Sequence, residues 1–184
     1  AENPRFSYIR VGKSMFMDYQ KIIEDICREI RPFAEEGKQA DYIPALAKIN
    51  PDQFGICLRT VDGQIYAHQQ ADTRFSIQSI AKVFAIAIAL SLRGEQIWKK
   101  VGKEPSGTAF NSLVQLEIEK GIPRNPFINA GAIVVADILI SELDDPEGEF
   151  LNFVRTLCKD DTISYNEEVA YSEREHGYLN AAIA

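Results

Sequence analysis

The sequence predicts an α/β chain in which one antiparallel hairpin precedes a mainly helical remainder. Three observations predict it: two short β-prone runs flank Asp62-Gly63, an apolar stripe at helical spacing precedes them, and apolar runs of helical length follow. The stripe is Ile22, Ile23, Ile26 and Ile30, in a helix over 17–33 with Asp18 as its N-cap. The chain turns through Gly37 into a short segment over 41–46. Residues 54–59 read as a strand, Asp62-Gly63 as a tight turn and 64–69 as the return strand. Residues 79–92 are apolar on nearly every side, the mark of a buried helix, and Gly94 ends it. A loop over 103–107 leads to a short helix over 112–120, closed by Gly121. Pro123 and Pro126 stiffen the connector to a second well-buried helix over 129–143. Residues 147–158 are amphipathic, and 166–184 are helical in part. A two-stranded hairpin alone is not a stable sheet. The sequence offers no further convincing strand, so the rest of the sheet is missing from it.

With 184 residues, of which 46% are hydrophobic, the chain can bury the core of one ordinary domain or a large part of one. Twenty Lys and Arg against 27 Asp and Glu leave a net charge of -7, which argues against a nucleic-acid partner and an anionic membrane surface. The longest apolar run, 83–90, is far too short to span a bilayer, and residues 1–17 carry no secretory pattern. Cys27, Cys57 and Cys158 are scattered and odd in number. That argues against a disulfide framework and for a reducing, cytoplasmic compartment. His68 and His176 are the two imidazoles, a poor supply for a histidine metal site or a Ser-His-Asp triad. No metal or organic cofactor is expected.

The sharpest local feature is Ser79-Ile80-Ala81-Lys82. Residues three apart share a helical face, so the lysine amine can reach the serine hydroxyl. Apolar neighbours Val83, Phe84 and Ile86 disfavour the ammonium form and make a neutral base accessible. Free N–H groups at a helix start can stabilise an oxyanion. Such a pair performs covalent acyl transfer without histidine. The motif is short, and a plain structural alternative stands beside it: Ser79 as a helix N-cap, Lys82 snorkelling to the surface.

Longer blocks occur around it in a fixed order. They are 41–47 (Asp-Tyr-Ile-Pro-Ala-Leu-Ala), 75–84 around Ser79, 101–112 (Val-Gly-Lys-Glu-Pro-Ser-Gly, then Phe110-Asn111-Ser112) and 125–133 (Asn-Pro, then Asn129-Ala130-Gly131-Ala132-Ile133). Together they resemble the serine-dependent glutaminases, which share the fold of the β-lactamases and penicillin-binding proteins. The resemblance implies an antiparallel sheet plus a helical region, with residues 1–184 as one truncated catalytic domain. Residues 1–70 would be its N-terminal helix and first hairpin, and 71–184 the helical region with the nucleophile.

Carried over by position, Ser79 is the nucleophile and Lys82 its base. Tyr42, Gln78, Asn129, Glu173 and Asn180 join Ser79 in binding substrate. The residue types suit glutamine: Glu173 can pair with the α-ammonium, while Tyr42, Asn129 and Asn180 can hydrogen-bond its other polar groups. Each also has a plain alternative. Asn129 could cap the following helix, Glu173 could be a solvated helical charge, Tyr42 could be ordinary packing and Gln78 a surface residue. Ala81 departs from the family pattern, which often has serine there.

The implied reaction is hydrolysis of L-glutamine to L-glutamate and ammonia, by a homo-oligomeric amidohydrolase. Two other functions remain open: a β-lactam- or peptide-directed hydrolase of the same fold, and a catalytically silent amino-acid-binding domain. A Ser-Asp-Asn motif after Lys82, which would favour the former, is absent. Family members continue well past the position of Asn180, with an activating tyrosine and further strands. The chain is therefore expected to be an amino-terminal portion, inactive alone.

Overall fold

The computed structural model describes residues 17–39 and 41–177, which fall into two units. The first holds 17–39 and 49–74. Its leading helix, α1 (Tyr19–Ile30), is capped as expected, with the Asp18 carboxylate accepting from the Lys21 N–H at 3.0 Å. The helix stops short of the predicted end because Pro32 has no N–H to continue the ladder, and the chain tightens into a 3-10 turn over Arg31–Glu36. Ile23 and Cys27 are buried, whereas Ile22, Ile26 and Ile30 stay partly exposed.

The hairpin pairs β1 (Gly55–Arg59) with β2 (Ile65–Gln69), antiparallel, in the register Gly55 to Gln69 and Arg59 to Ile65. The turn closes through the Gly63 N–H to the Thr60 carbonyl at 2.9 Å, and Gly63 sits at φ +91°, where a side chain is strained. Alternation places Ile56, Leu58, Tyr66 and His68 on the half-buried face. Helix α1 packs on this hairpin through Tyr19, whose ring lies 5.4 Å from that of Tyr66, and through the Gln20 amide to the Ala67 carbonyl at 3.2 Å. Among the described residues these are the two strands.

The second unit holds 41–48 and 75–177. Its helices are α2 (Pro44–Ala47), α3 (Ala81–Arg93), α4 (Leu113–Ile118), α5 (Asn129–Glu142), α6 (Pro146–Cys158) and α7 (Glu167–His176). Capping follows the sequence: the side chains of Ser112, Asp145 and Asn166 each accept a backbone N–H at the start of α4, α6 and α7. The main core lies between α3 and α5, where Ile86, Ile88 and Ala89 meet Val135, Ile138 and Leu139, with Ile97 beside them. Apolar composition all round does not bury these helices completely: Val83 and Ile140 are exposed. A smaller cluster of Ile43, Ala45 and Val169 seats α2 on α7, and the Ala45 N–H donates to the Ser172 hydroxyl at 3.2 Å.

The start of α5 is fixed from outside the helix. Asn125 accepts from the Phe127 and Ile128 N–H groups at 3.0 and 3.1 Å, and its amide donates to the Glu104 carbonyl at 2.8 Å. Gly131 lies so close to this turn that a Cβ there would stand 1.9 Å from the Asn125 carbonyl oxygen. The obstacle is backbone, so the helix must move. Gly131→Ala is expected to destabilise the unit by about 2 kcal/mol or more, measured by urea unfolding. An unchanged midpoint would show that the turn yields freely.

Candidate active site

The second unit contains a cavity of about 660 Å³, within the roughly 300–1,000 Å³ usual for small-molecule sites. Tyr42, Gln78, Ser79, Lys82, Asn129 and Glu173 all line it. Six of the seven residues singled out in the sequence therefore meet in one place, from segments far apart in the chain. The seventh, Asn180, lies outside the described residues.

Ser79 sits in a 3-10 turn over Gln78–Ile80 that leads into α3. The expected helix start at 79 is thus a tighter turn, with the α-helix proper beginning at Ala81. Ser79 does not cap it: the cap position is Ile80, and no side chain bonds there. The turn's first internal bond runs from the Ile80 N–H to the Ile77 carbonyl at 2.9 Å. The Ser79 N–H precedes that bond, the position in which a helix start leaves donors for a ligand. Gln78 holds φ +45°, a left-handed conformation that costs a non-glycine residue about 1–2 kcal/mol. Its side-chain amide donates to the Ser76 hydroxyl at 2.8 Å. Local strain directly before a candidate nucleophile is where functional sites concentrate it.

One turn further on, the Lys82 amine donates to Asn129 Oδ1 at 2.7 Å and to the Phe127 carbonyl at 2.9 Å. It also stands 5.9 Å from the centre of the Phe110 ring. No hydrogen bond joins it to Ser79 among the described residues, although both line the cavity. The amine is held by the entry of α5, which packs against α3. Burial lowers the Lys82 pKa from the ordinary lysine value, and the negative charge of Glu173 partly opposes this.

Asn129 is the first residue of α5 and not its cap, a place taken by Ile128. Its side chain is therefore available to the lysine. Glu173 lies on α7, half-buried, and Tyr42 precedes α2 with its ring largely exposed at the cavity. The seating of α2 on α7 puts both on the cavity wall.

Phe110, Asn111 and His176 also line the cavity and were not singled out by sequence. Phe110 and Asn111 belong to the sequence block 101–112. His176 carried a weaker signal, its position three residues after Glu173 on one helix. Among the described residues no group of three or more His, Cys, Asp and Glu side chains could hold a metal, and no helix is long and apolar enough to cross a membrane.

A family model described as Glutaminase matches residues 37–184. The chain is 54% identical over 169 residues to a glutaminase of Rhizobium johnstonii, covering 91% of this chain and 55% of that protein. It is 57% identical over 164 residues to a glutaminase of Yersinia pestis, covering 89% and 53%. Among solved structures, a probable glutaminase, ybaS, superposes with a TM-score of 0.79 at 30% identity, covering 91% of this chain and 55% of that one. A probable glutaminase from Bacillus subtilis, complexed with 6-diazo-5-oxo-L-norleucine, gives 0.71 at 32% identity, covering 94% and 52%. The chain spans about half the length of the curated relatives it matches. The helical unit and hairpin are thus part of the β-lactamase-like glutaminase fold. Sequence similarity along nine-tenths of its length and a shared backbone at 30% identity or more lead to one conclusion: this chain belongs to the glutaminase family.

Proposed function

We propose that the protein carrying this sequence hydrolyses L-glutamine to L-glutamate and ammonia, with Ser79 as nucleophile and Lys82 as its base. The observation that carries this is the convergence of Ser79, Lys82, Asn129 and Glu173 on one cavity. The compound complexed with the Bacillus subtilis relative supports it, since its name describes an L-amino acid with a diazo ketone where glutamine has its amide.

The chemistry follows from the residues. A neutral Lys82 amine has two N–H donors, and Asn129 Oδ1 and the Phe127 carbonyl offer two acceptors for them. The lone pair is left to take the Ser79 proton. Ser79 Oγ then bonds to the side-chain carbonyl carbon of glutamine, and the Ser79 N–H faces the resulting oxyanion. The carbon–nitrogen bond breaks, the nitrogen takes the proton back from Lys82, and ammonia leaves. Water adds to the glutamyl ester as Lys82 takes its proton, the ester bond to Ser79 Oγ breaks, Oγ takes that proton from Lys82, and glutamate departs. Glu173 pairs with the α-ammonium. Tyr42, Gln78, Asn129 and Asn180 complete the binding of substrate. Both units belong to one catalytic domain in this reading. The enzyme works as a homo-oligomer in the cytoplasm, where three unpaired cysteines are at home.

The direct test is ammonia release from glutamine by the full protein, together with labelling by the diazo ketone, read as a mass shift on the peptide containing Ser79. Label on Cys57 or Cys158 instead would identify a thiol enzyme. The lowered Lys82 pKa also sets a pH dependence. The reactive form is the neutral amine, whose fraction grows as pH rises through that pKa. The kcat for glutamine is therefore expected to rise with pH, with a midpoint below the ordinary lysine value of 10.5. A kcat that falls over the same range would remove Lys82 from the role of base.

A further inference from the structure

We infer that Asn125 is a positioning residue for the base: through the Phe127–Ile128 peptide it aims the carbonyl that receives an N–H of Lys82. This rests on the Ser-Lys reading of the site and deepens it. Asn125 does not line the cavity and reaches the chemistry through a single peptide group. Its Oδ1 accepts from the Ile128 N–H at 3.1 Å, and the carbonyl of that same peptide, on Phe127, accepts from the Lys82 amine at 2.9 Å. A trans peptide is planar, and its N–H and C=O point in opposite directions in that plane. Holding the N–H therefore fixes where the oxygen points. The plane is gripped at both edges, by the asparagine on one side and the lysine on the other.

The carbonyl is available for this task. Ile128 is the N-cap of α5, and the helix ladder begins with its carbonyl, which accepts from the Ala132 N–H at 2.9 Å. The Phe127 carbonyl lies one residue before that ladder. The amine it meets sits at the N-terminus of α5, whose dipole repels a cation, so the oxygens aimed at Lys82 are what hold it there.

Further bonds keep the turn from relaxing. Asn125 Oδ1 also accepts from the Phe127 N–H at 3.0 Å, across Pro126, whose ring fixes φ and brings no N–H of its own. The Asn125 amide donates to the Glu104 carbonyl at 2.8 Å. Oδ1 meets donors and Nδ2 meets an acceptor, so one orientation of the amide satisfies all of them. The segment is also tied to 102–104, through the Gly102 N–H to the Pro123 carbonyl at 2.7 Å and the Glu104 N–H to the Arg124 carbonyl at 2.9 Å. The other acceptor of the amine, Asn129 Oδ1 at 2.7 Å, follows two residues after Phe127, where the Asn129 N–H donates to the Phe110 carbonyl at 2.8 Å. With the N–H groups of a neutral amine on these two oxygens, its lone pair has one direction. Without the Phe127 carbonyl the amine can rotate, and its ammonium form loses a dipole that favours it.

Two variants of the full protein test this by steady-state kinetics across pH and by urea unfolding. Asn125→Ala removes the bonds to Phe127, Ile128 and Glu104. Asn125→Asp keeps an oxygen for the two N–H groups and loses the donor to Glu104. Both are expected to lower the unfolding midpoint, but only the alanine releases the carbonyl. Asn125→Ala is expected to lower kcat by about 10²-fold, with a smaller change in KM. The midpoint of its kcat rise moves to lower pH. Asn125→Asp is expected to stay within about tenfold of the parent in kcat. A residue that served stability alone would let turnover follow the unfolding midpoint in both variants and would leave the pH midpoint in place. Equal losses of kcat in the two variants, a loss confined to KM, or an unmoved pH midpoint in Asn125→Ala overturns this inference alone. If Asn125→Ala does not fold, Asn125→Asp decides: a kcat within about tenfold of the parent sustains the inference, and a larger loss overturns it. Near-parent turnover by Lys82→Ala, or none by the parent, overturns the Ser-Lys reading and this inference with it.

Discussion

Ser79→Ala is expected to lower glutamine turnover by about 10⁴-fold or more, and Lys82→Ala to lower it almost as far. The size follows from the chemistry being one unit. Without Oγ there is no glutamyl-enzyme, and without the amine the hydroxyl keeps its proton. The double variant should therefore be little worse than either single one, because members of one proton-transfer unit do not contribute additively. The structure gives Lys82 a second role. Its amine is also a tie from α3 to the entry of α5, through Asn129 and the Phe127 carbonyl. Lys82→Ala should thus lower the unfolding midpoint as well as kcat, whereas Ser79→Ala, whose side chain caps nothing, should leave it in place. Ammonia release and urea unfolding on the same three variants separate the two effects. Near-parent turnover in either single variant would end the Ser-Lys mechanism.

Glu173→Gln is expected to raise KM for glutamine by about 10²-fold or more, since an ammonium left without its carboxylate in a partly desolvated site costs several kcal/mol. It should also change the pH profile in a direction fixed by charge. Glu173 raises the Lys82 pKa against the lowering by burial. Removing its charge lets that pKa fall further, so the midpoint of the kcat rise moves to lower pH. A solvated surface carboxylate would do neither. Steady-state kinetics across pH reads both effects from one variant. An unchanged KM with an unmoved midpoint would return Glu173 to the exposed face of α7.

Much of the local structure could be read from the residues. Asp18, Ser112 and Asn166 announce helix starts because short polar side chains satisfy the first free N–H groups. Asp62-Gly63 announces the hairpin because Gly63 must adopt a left-handed φ. The early end of α1 was equally available in Pro32. Burial was less legible: α3 and α5 are apolar all round, yet which of their faces is covered depends on neighbours that composition does not name. The left-handed Gln78 had no signature at all, because its conformation is imposed by the turn that carries Ser79.

The same division runs through the site. The sequence by itself determined the spacing of the candidate pair, Ser79 and Lys82, the order of the blocks and hence the family, since one-turn spacing is a local property and ordered blocks need no coordinates. It could not determine what each side chain meets. Asn129 could have capped its own helix, and only the packing of α5 against α3 shows its oxygen turned to Lys82. Lys82 could have bonded Ser79, and its actual partners lie more than forty residues away. Tyr42 and Glu173 are separated by most of the unit and reach one cavity because Ile43 and Ala45 bury against Val169. His176 became visible only as part of that wall. Contacts between distant segments are set by how apolar faces choose one another, and that choice is a property of the whole packed core and of no single stretch of chain.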